Sequence, residues 1–216
     1  MRWIWWAAML AGISYYGAAW LDVPDALAAV WKGAGVGLLA LWAAGQADSD
    51  DGWLLALVLA CGAAGDVLLE VAGLSVGAVA FLAGHLVAIV LYVRNRRASP
   101  SISQRAAALA LLVGTPAIAW LLSRDAGAGI YALGLGAMAA AAWISRFPRY
   151  RVGLGAVMFV ASDLLIFARI GSLADADWPG LLIWPLYFGG QALIATAVVR
   201  MLRLQASAPD PTAAAS

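Results

Sequence analysis

The chain has 216 residues and a formal net charge of +1; 64% of its residues are hydrophobic, 12% are charged, and its mean hydropathy is +0.88. Soluble domains are nearer half apolar and a quarter charged, so this composition describes an integral membrane protein of one compact domain. The near-neutral charge leaves no nucleic-acid footprint, and with one Cys and one His the chain has no intrachain disulfide and no zinc-finger or Cys-rich metal site.

The N-terminal stretch MRWIWWAAMLAGISYYGAAW has the layout of a signal peptide, a basic start followed by an apolar run with small residues at Gly17 and Ala19. Its four Trp and two Tyr, and the apolar hairpin that follows at once, favour a retained first membrane helix. About 20 apolar residues cross a bilayer. Eight such runs can be cut: 3–21, 26–44, 53–71, 76–93, 104–122, 128–145, 151–169 and 179–202. Polar punctuation separates them, among it DVPD, GQADSDDG, RNRRASPSISQR and SRFPRYR. The expected organisation is a single transmembrane helical domain over 1–204 and a disordered, small and polar tail over 205–216.

Basic residues set the orientation. With both termini cytoplasmic, that side holds Arg2, Arg94, Arg96, Arg97, Arg105, Arg146, Arg149, Arg151, Arg200 and Arg203, against Arg124 and Arg169 on the other. Trp3, Trp5, Trp6, Trp42, Trp53 and Trp143 then fall near inner span ends, and Trp20, Trp120, Trp178 and Trp184 near outer ends, as an aromatic belt requires. Gly33 and Gly37 form a GxxxG, and GLG recurs at 134–136 and 153–155; small residues of this kind let helices approach closely inside lipid.

Ionisable groups inside a span are costly, roughly 2.5–3.5 kcal/mol each at its centre, and are functional suspects. They are Lys32, Asp66, Glu70, His85 and Asp163, with Tyr187 and Gln191 as milder members. Placed along their spans, they share one layer between mid-membrane and the non-cytoplasmic interface, which predicts a single polar cavity. Structural readings stand beside this one. Lys32 with Asp66 makes a buried ion pair, His85 donates to a helix carbonyl, Glu70 faces headgroup water, and Gln191 bonds a neighbouring helix. Asp163 has no basic residue near it in its own span and is hardest to read as structure.

Two pairs of segments look alike. GDVLLEVAGL at 65–74 matches SDLLIFARIGSL at 162–173, and GHLVAIVLYVR at 84–94 matches GQALIATAVVR at 190–200. Each half then holds four spans, which predicts two parallel four-helix repeats about an axis along the membrane normal, with Asp66 and Asp163 flanking one cavity.

The stretches GDVLLE, GAVAFLAGHLVAIVLYV, GAVMFVASDLLIFARI and PLYFGGQALIA, in this order, resemble the YhhN-type lysoplasmalogenase family of eight-span membrane proteins. That family's span-two lysine is usually followed by proline, whereas VWKGAGV keeps Lys32 without it, and spans five and six carry little of the resemblance. The resemblance implies a membrane hydrolase, sited in a bacterial inner membrane, that cleaves the vinyl ether of a single-chain lysolipid to a fatty aldehyde and a glycerophospho-base. It implies site residues Asp66, His85, Asp163 and Gln191, with Lys32 and Tyr187 as lesser candidates, and no cofactor.

The chemistry suits these residues. Cleaving a vinyl ether means protonating carbon, which needs a positioned acid, and stabilising the resulting cation, which needs an anion. Two carboxyls sharing a low-dielectric cavity tend to hold one proton between them, leaving one acid and one base. Asp66 and Asp163 are the expected pair, with His85 relaying protons or orienting water and Gln191 and Tyr187 holding water or the glycerol hydroxyl. Lys32 tunes Asp66 or meets the phosphate, and Glu70 lies at the rim. Three other readings remain open, one of them a structural or lipid-binding membrane protein. One His and two Asp could hold a divalent cation, and mid-membrane carboxylates in a parallel repeat also describe a proton-coupled carrier.

Overall fold

The computed structural model describes residues 1–207, and these are helical almost throughout. Eight α-helices follow in chain order: α1 (Arg2–Tyr15), α2 (Asp25–Ala44), α3 (Asp50–Val71), α4 (Leu74–Arg94), α5 (Ile102–Ser123), α6 (Ala126–Ile144), α7 (Leu154–Arg169) and α8 (Trp178–Ala206). A 3₁₀ turn, Tyr16–Trp20, extends α1, and a π turn, Arg149–Gly153, leads into α7. Of these, α2 to α6, α8 and the stretch Arg149–Arg169 that contains α7 are long and apolar enough to cross a membrane, seven in all. The chain is therefore a multi-pass membrane protein. The eighth expected span falls on α1, whose 14 α-helical residues reach only about 21 Å, short of the roughly 30 Å hydrocarbon core. α8 continues through Ala206, two residues into the expected tail; from residue 208 the tail lies outside the described residues.

Local chemistry places the helix ends. Ser49 caps α3 by accepting from Gly52 N (3.4 Å), and Asp125 caps α6 by accepting from Ala128 N (2.8 Å). Ser101 and Gln104 form a reciprocal capping box at α5. The α3–α4 turn is closed by Gly73 at φ 88°, a conformation glycine adopts without strain.

Sequential helices pack as hairpins: α1 on α2, α2 on α3, α3 on α4, α5 on α6 and α7 on α8. Across the bundle, α4 meets α6, α5 and α6 meet α7, and α8 meets α1, α2 and α3. The helix approach is set by missing side chains. A Cβ on Gly33 would lie 2.5 Å from Val67 Cγ2, and one on Gly136 would lie 2.8 Å from Leu111 O.

The α3–α4 and α7–α8 hairpins pack in matching register. Gly84 lies against Val58 O and Cys61 Cβ, where an added Cβ would sit at 3.4 and 3.1 Å. Gly190 lies against Gly155 O and Met158 Cβ, at 2.6 and 3.4 Å. The step from Val58 to Gly155 and from Cys61 to Met158 is the step from Asp66 to Asp163, and the step from Gly84 to Gly190 is that from His85 to Gln191.

At the opposite end from Gly73, two loops are clasped by main-chain hydrogen bonds, Arg97 N to Ile144 O (3.1 Å) and Arg146 N to Asn95 O (2.7 Å). The Asn95 side chain is buried there, donating to Asp51 Oδ2 (2.7 Å) and accepting from Arg146 Nε (2.7 Å). Two of the tryptophans expected in the aromatic belt turn into the bundle and not outward. Trp42 and Trp184 are core residues, and Trp184 Nε1 donates to Gly12 O at 2.7 Å, fastening α8 to α1. An indole satisfied inside the bundle has no need of the headgroup layer.

Candidate active site

The last third of α3 carries Asp66, and the same level of α7 carries Asp163. Both carboxyls are buried, 1% and 7% exposed, yet both line one cavity of about 330 Å³. A buried carboxyl needs a partner, and each has a tyrosine. Tyr187 of α8 donates its hydroxyl to Asp66 Oδ2 at 2.9 Å, and Tyr131 of α6 donates to Asp163 Oδ2 at 2.6 Å. The α3–α8 and α6–α7 contacts hold these pairs in place.

His85 reaches Asp163 through Tyr131. Its Nε2 is 3.0 Å from the Tyr131 hydroxyl, so His85, Tyr131 and Asp163 form one hydrogen-bonded chain. Two proton arrangements satisfy it. With an ionised carboxylate, Tyr131 donates to Asp163 and His85 Nε2–H donates to Tyr131. With a protonated carboxyl, Asp163 donates to Tyr131, whose own hydrogen turns to His85 Nε2. Phe159 packs against the imidazole edge-on, ring centres 5.0 Å apart, and fixes its position.

Gln191 lies one turn beyond Tyr187, buried. A Cβ on Gly62 would stand 3.2 Å from both the Gln191 amide nitrogen and the Tyr187 hydroxyl, so Gly62 leaves the space in which those two polar groups sit together. Ser162, beside Asp163, donates to Ile183 O at 2.9 Å and ties α7 to α8 at the same level.

Lys32 lines the cavity, as expected, but its ion pair is with Glu70 at 2.6 Å. The pair is partly exposed, with 15% and 32% of the two side chains accessible. The structural reading that joined Lys32 to a buried Asp66 thus gives way to a pair at the mouth. Glu70, one turn nearer the helix end than Asp66, is where an ammonium group on a half-open surface meets a carboxylate with the least loss of hydration.

The structure therefore gathers Asp66, Asp163, Tyr187 and Lys32 on the cavity wall. It sets His85 and Gln191 behind the tyrosines and Glu70 at the rim. Sequence reasoning missed Tyr131. The available signal was that Tyr131 is the only hydroxyl-bearing side chain in α6, among Ala, Gly and Leu. Among the described residues, no three His, Cys, Asp or Glu side chains gather closely enough to hold a metal ion; Tyr131 stands between His85 and Asp163.

The rest of the cavity is apolar, with Leu69, Leu74, Ala78, Leu82, Ile166 and Phe167 among its lining residues. The two tyrosine-held carboxyls thus stand inside a largely apolar wall. No curated protein and no solved structure matches the chain. The family model described as YhhN family matches residues 27–198, a stretch that holds every residue of this site, and the chain belongs to the YhhN family.

Proposed function

We propose that this protein is a membrane hydrolase that cleaves the vinyl ether bond of a lysoplasmalogen, a single-chain lysolipid with an ethanolamine or choline headgroup. The observation that carries the reading is the pair of buried carboxyls, each bonded to a tyrosine, on one largely apolar cavity. One aspartic acid gives its proton to the β-carbon of the vinyl ether. The adjoining carbon becomes an oxocarbenium ion, which the other, ionised aspartate stabilises. Water adds to that carbon and loses a proton to the carboxylate. The hemiacetal then collapses to a fatty aldehyde and the free glycerol hydroxyl. One water is consumed, and the pair of carboxyls again holds one proton between them. Each tyrosine occupies Oδ2 of its partner, so Oδ1 is the oxygen offered to substrate or water. His85 acts through Tyr131 as the far end of a proton path, and Gln191 supports Tyr187. Lys32 and Glu70 stand where a phosphate and an amine would arrive. The matching hairpins support two parallel four-helix repeats; the reading further takes α1 with its 3₁₀ extension as the eighth span, both termini as cytoplasmic and a bacterial inner membrane as the site.

The test is aldehyde release by detergent-purified protein across lysolipids with vinyl ether, alkyl ether and ester linkages. Release from the vinyl ether alone is expected, and no release from any of them would end the hydrolase reading. The second reading, a proton-coupled carrier, draws on the same buried carboxyls and the paired hairpins. It predicts no turnover in detergent and substrate-driven proton movement in sealed vesicles.

A further inference from the structure

The cavity wall is polar in one direction and apolar in another. Ser75 and Asp125 lie at the helix ends, in the α3–α4 and α5–α6 turn regions, and Lys32 of α2 joins them by reaching Glu70 in the last turn of α3. Val79 of α4 and Ile130 of α6 also line the cavity, yet they are 69% and 66% exposed on the flank of the bundle. A side chain that both lines a cavity and faces outward stands at the edge of an opening. Deeper in, α4 and α6 are closed on each other: Leu82 fills the space where a Cβ on Gly134 would stand, 2.5 Å away, and His85 meets Tyr131. Val79 and Ile130 are each about five residues from their helix starts, roughly 8 Å along the axis, within the spans and not beyond them.

We propose that the window between the N-terminal parts of α4 and α6 is a lateral portal through which the hydrocarbon chain of a single-chain lipid passes between the bilayer and the cavity. The polar mouth at Lys32, Ser75 and Asp125 takes the headgroup. This rests on the hydrolase reading for its substrate, and it adds the path and the pose. The chain leaves sideways into lipid while the headgroup stays at the helix ends, so the bond between them lies against Asp66 and Asp163. The molecule need never leave the membrane, and a chain of any length is accepted because its end remains outside the protein.

The experiment compares two substrates and two labels. Wild-type protein in lipid nanodiscs is given a long-chain vinyl ether lysolipid and a short-chain, water-soluble vinyl ether. Val79→Trp with Ile130→Trp narrows the window, and the ratio of kcat/KM for the long over the short substrate is expected to fall at least tenfold. Val90→Trp with Ile118→Trp, on outward faces away from the cavity, should leave that ratio unchanged. An unchanged ratio in the window variant overturns the portal. In parallel, a single-chain lipid carrying a photoreactive group along its chain is irradiated in the nanodisc. Labelling of residues 74–82 and 127–134, diminished in the window variant, supports the portal, and labelling confined to the outer faces overturns it. If the wild type cleaves neither substrate, the hydrolase reading fails, while the labelling still decides the path of the chain.

Discussion

Asp66 and Asp163 sit at corresponding places in two hairpins of matching register, and their surroundings differ. Asp163 faces a chain of two further groups, Tyr131 and His85, that runs into α6 and α4. Asp66 has one tyrosine, with Gln191 beside it, and looks toward the Lys32–Glu70 pair at the open end. The backbone is nearly repeated and the side chains are not. A closed hydrogen-bonded chain lies on one side and a charged mouth on the other. Two carboxyls with identical neighbours would have no reason to take different roles; in the proposed hydrolysis, unlike neighbours are what would set acid and base apart.

The comparison can be broken at several levels. The largest effect is expected from Asp66→Asn and Asp163→Asn, each of which should lower aldehyde release by roughly 10²- to 10⁴-fold with the fold retained, the usual range for a general acid or base. Near-wild-type turnover in either variant would remove that residue from the chemistry. Next come the members of the chain. Tyr131→Phe and His85→Gln should each cost about tenfold in kcat, and the double variant should lose no more than the worse single, because both interrupt one path. His85→Gln combined with Tyr187→Phe should instead multiply, since those residues serve different aspartates. Multiplication in both pairs would dissolve the distinction between the two sides.

The shared backbone can be tested through its glycines. Gly190→Ala would set a Cβ 2.6 Å from the main-chain oxygen of Gly155, which cannot yield locally, and should destabilise by about 1–3 kcal/mol. Gly84→Ala meets Cys61 Cβ at 3.1 Å and should be milder, below about 1 kcal/mol. Unfolding in mixed detergent measures both, and the reverse order would mean that the α7–α8 contact is the looser one. The smallest effect belongs to the mouth. Glu70→Gln removes a partly exposed pair and should shift stability by only about 0–1 kcal/mol. A loss well above 2 kcal/mol in the same assay would show Lys32 to depend on Glu70 as a buried partner would.

The spans were legible because lipid demands long apolar runs, and polar interruptions mark where each one stops. Asp66, His85 and Asp163 were legible for the same reason: an ionisable group in such a run is expensive enough to stand out. Tyr131 was not. A phenol is cheap in an apolar run, and its role comes only from the neighbours that α4 and α7 bring to it. The partner of Lys32 was open for a related reason. Asp66 and Glu70 are four residues apart on one helix face, and sequence cannot say which level a lysine on another helix will meet. That Trp184 turns inward was not legible, because the Gly12 carbonyl that takes its indole N–H comes from α1. In a membrane helix both faces are apolar, so hydrophobic periodicity says little about which face turns inward.

The clasp at Asn95 bears on how the site is reached. The C-terminal ends of α4 and α6 are joined there through their loops, whereas among the described residues no main-chain hydrogen bond joins their N-terminal ends. The two helices are thus built like tweezers fixed at the base. With α4 21 residues long, each degree of rotation about that base would part the tips by roughly 0.5 Å and the walls beside Val79 and Ile130 by roughly 0.4 Å. Spin labels at Val76 and Ala126 should report a broad spread of separations, and labels at Val93 and Trp143 a narrow one. Equal widths at the two ends would mean that the arms do not swing.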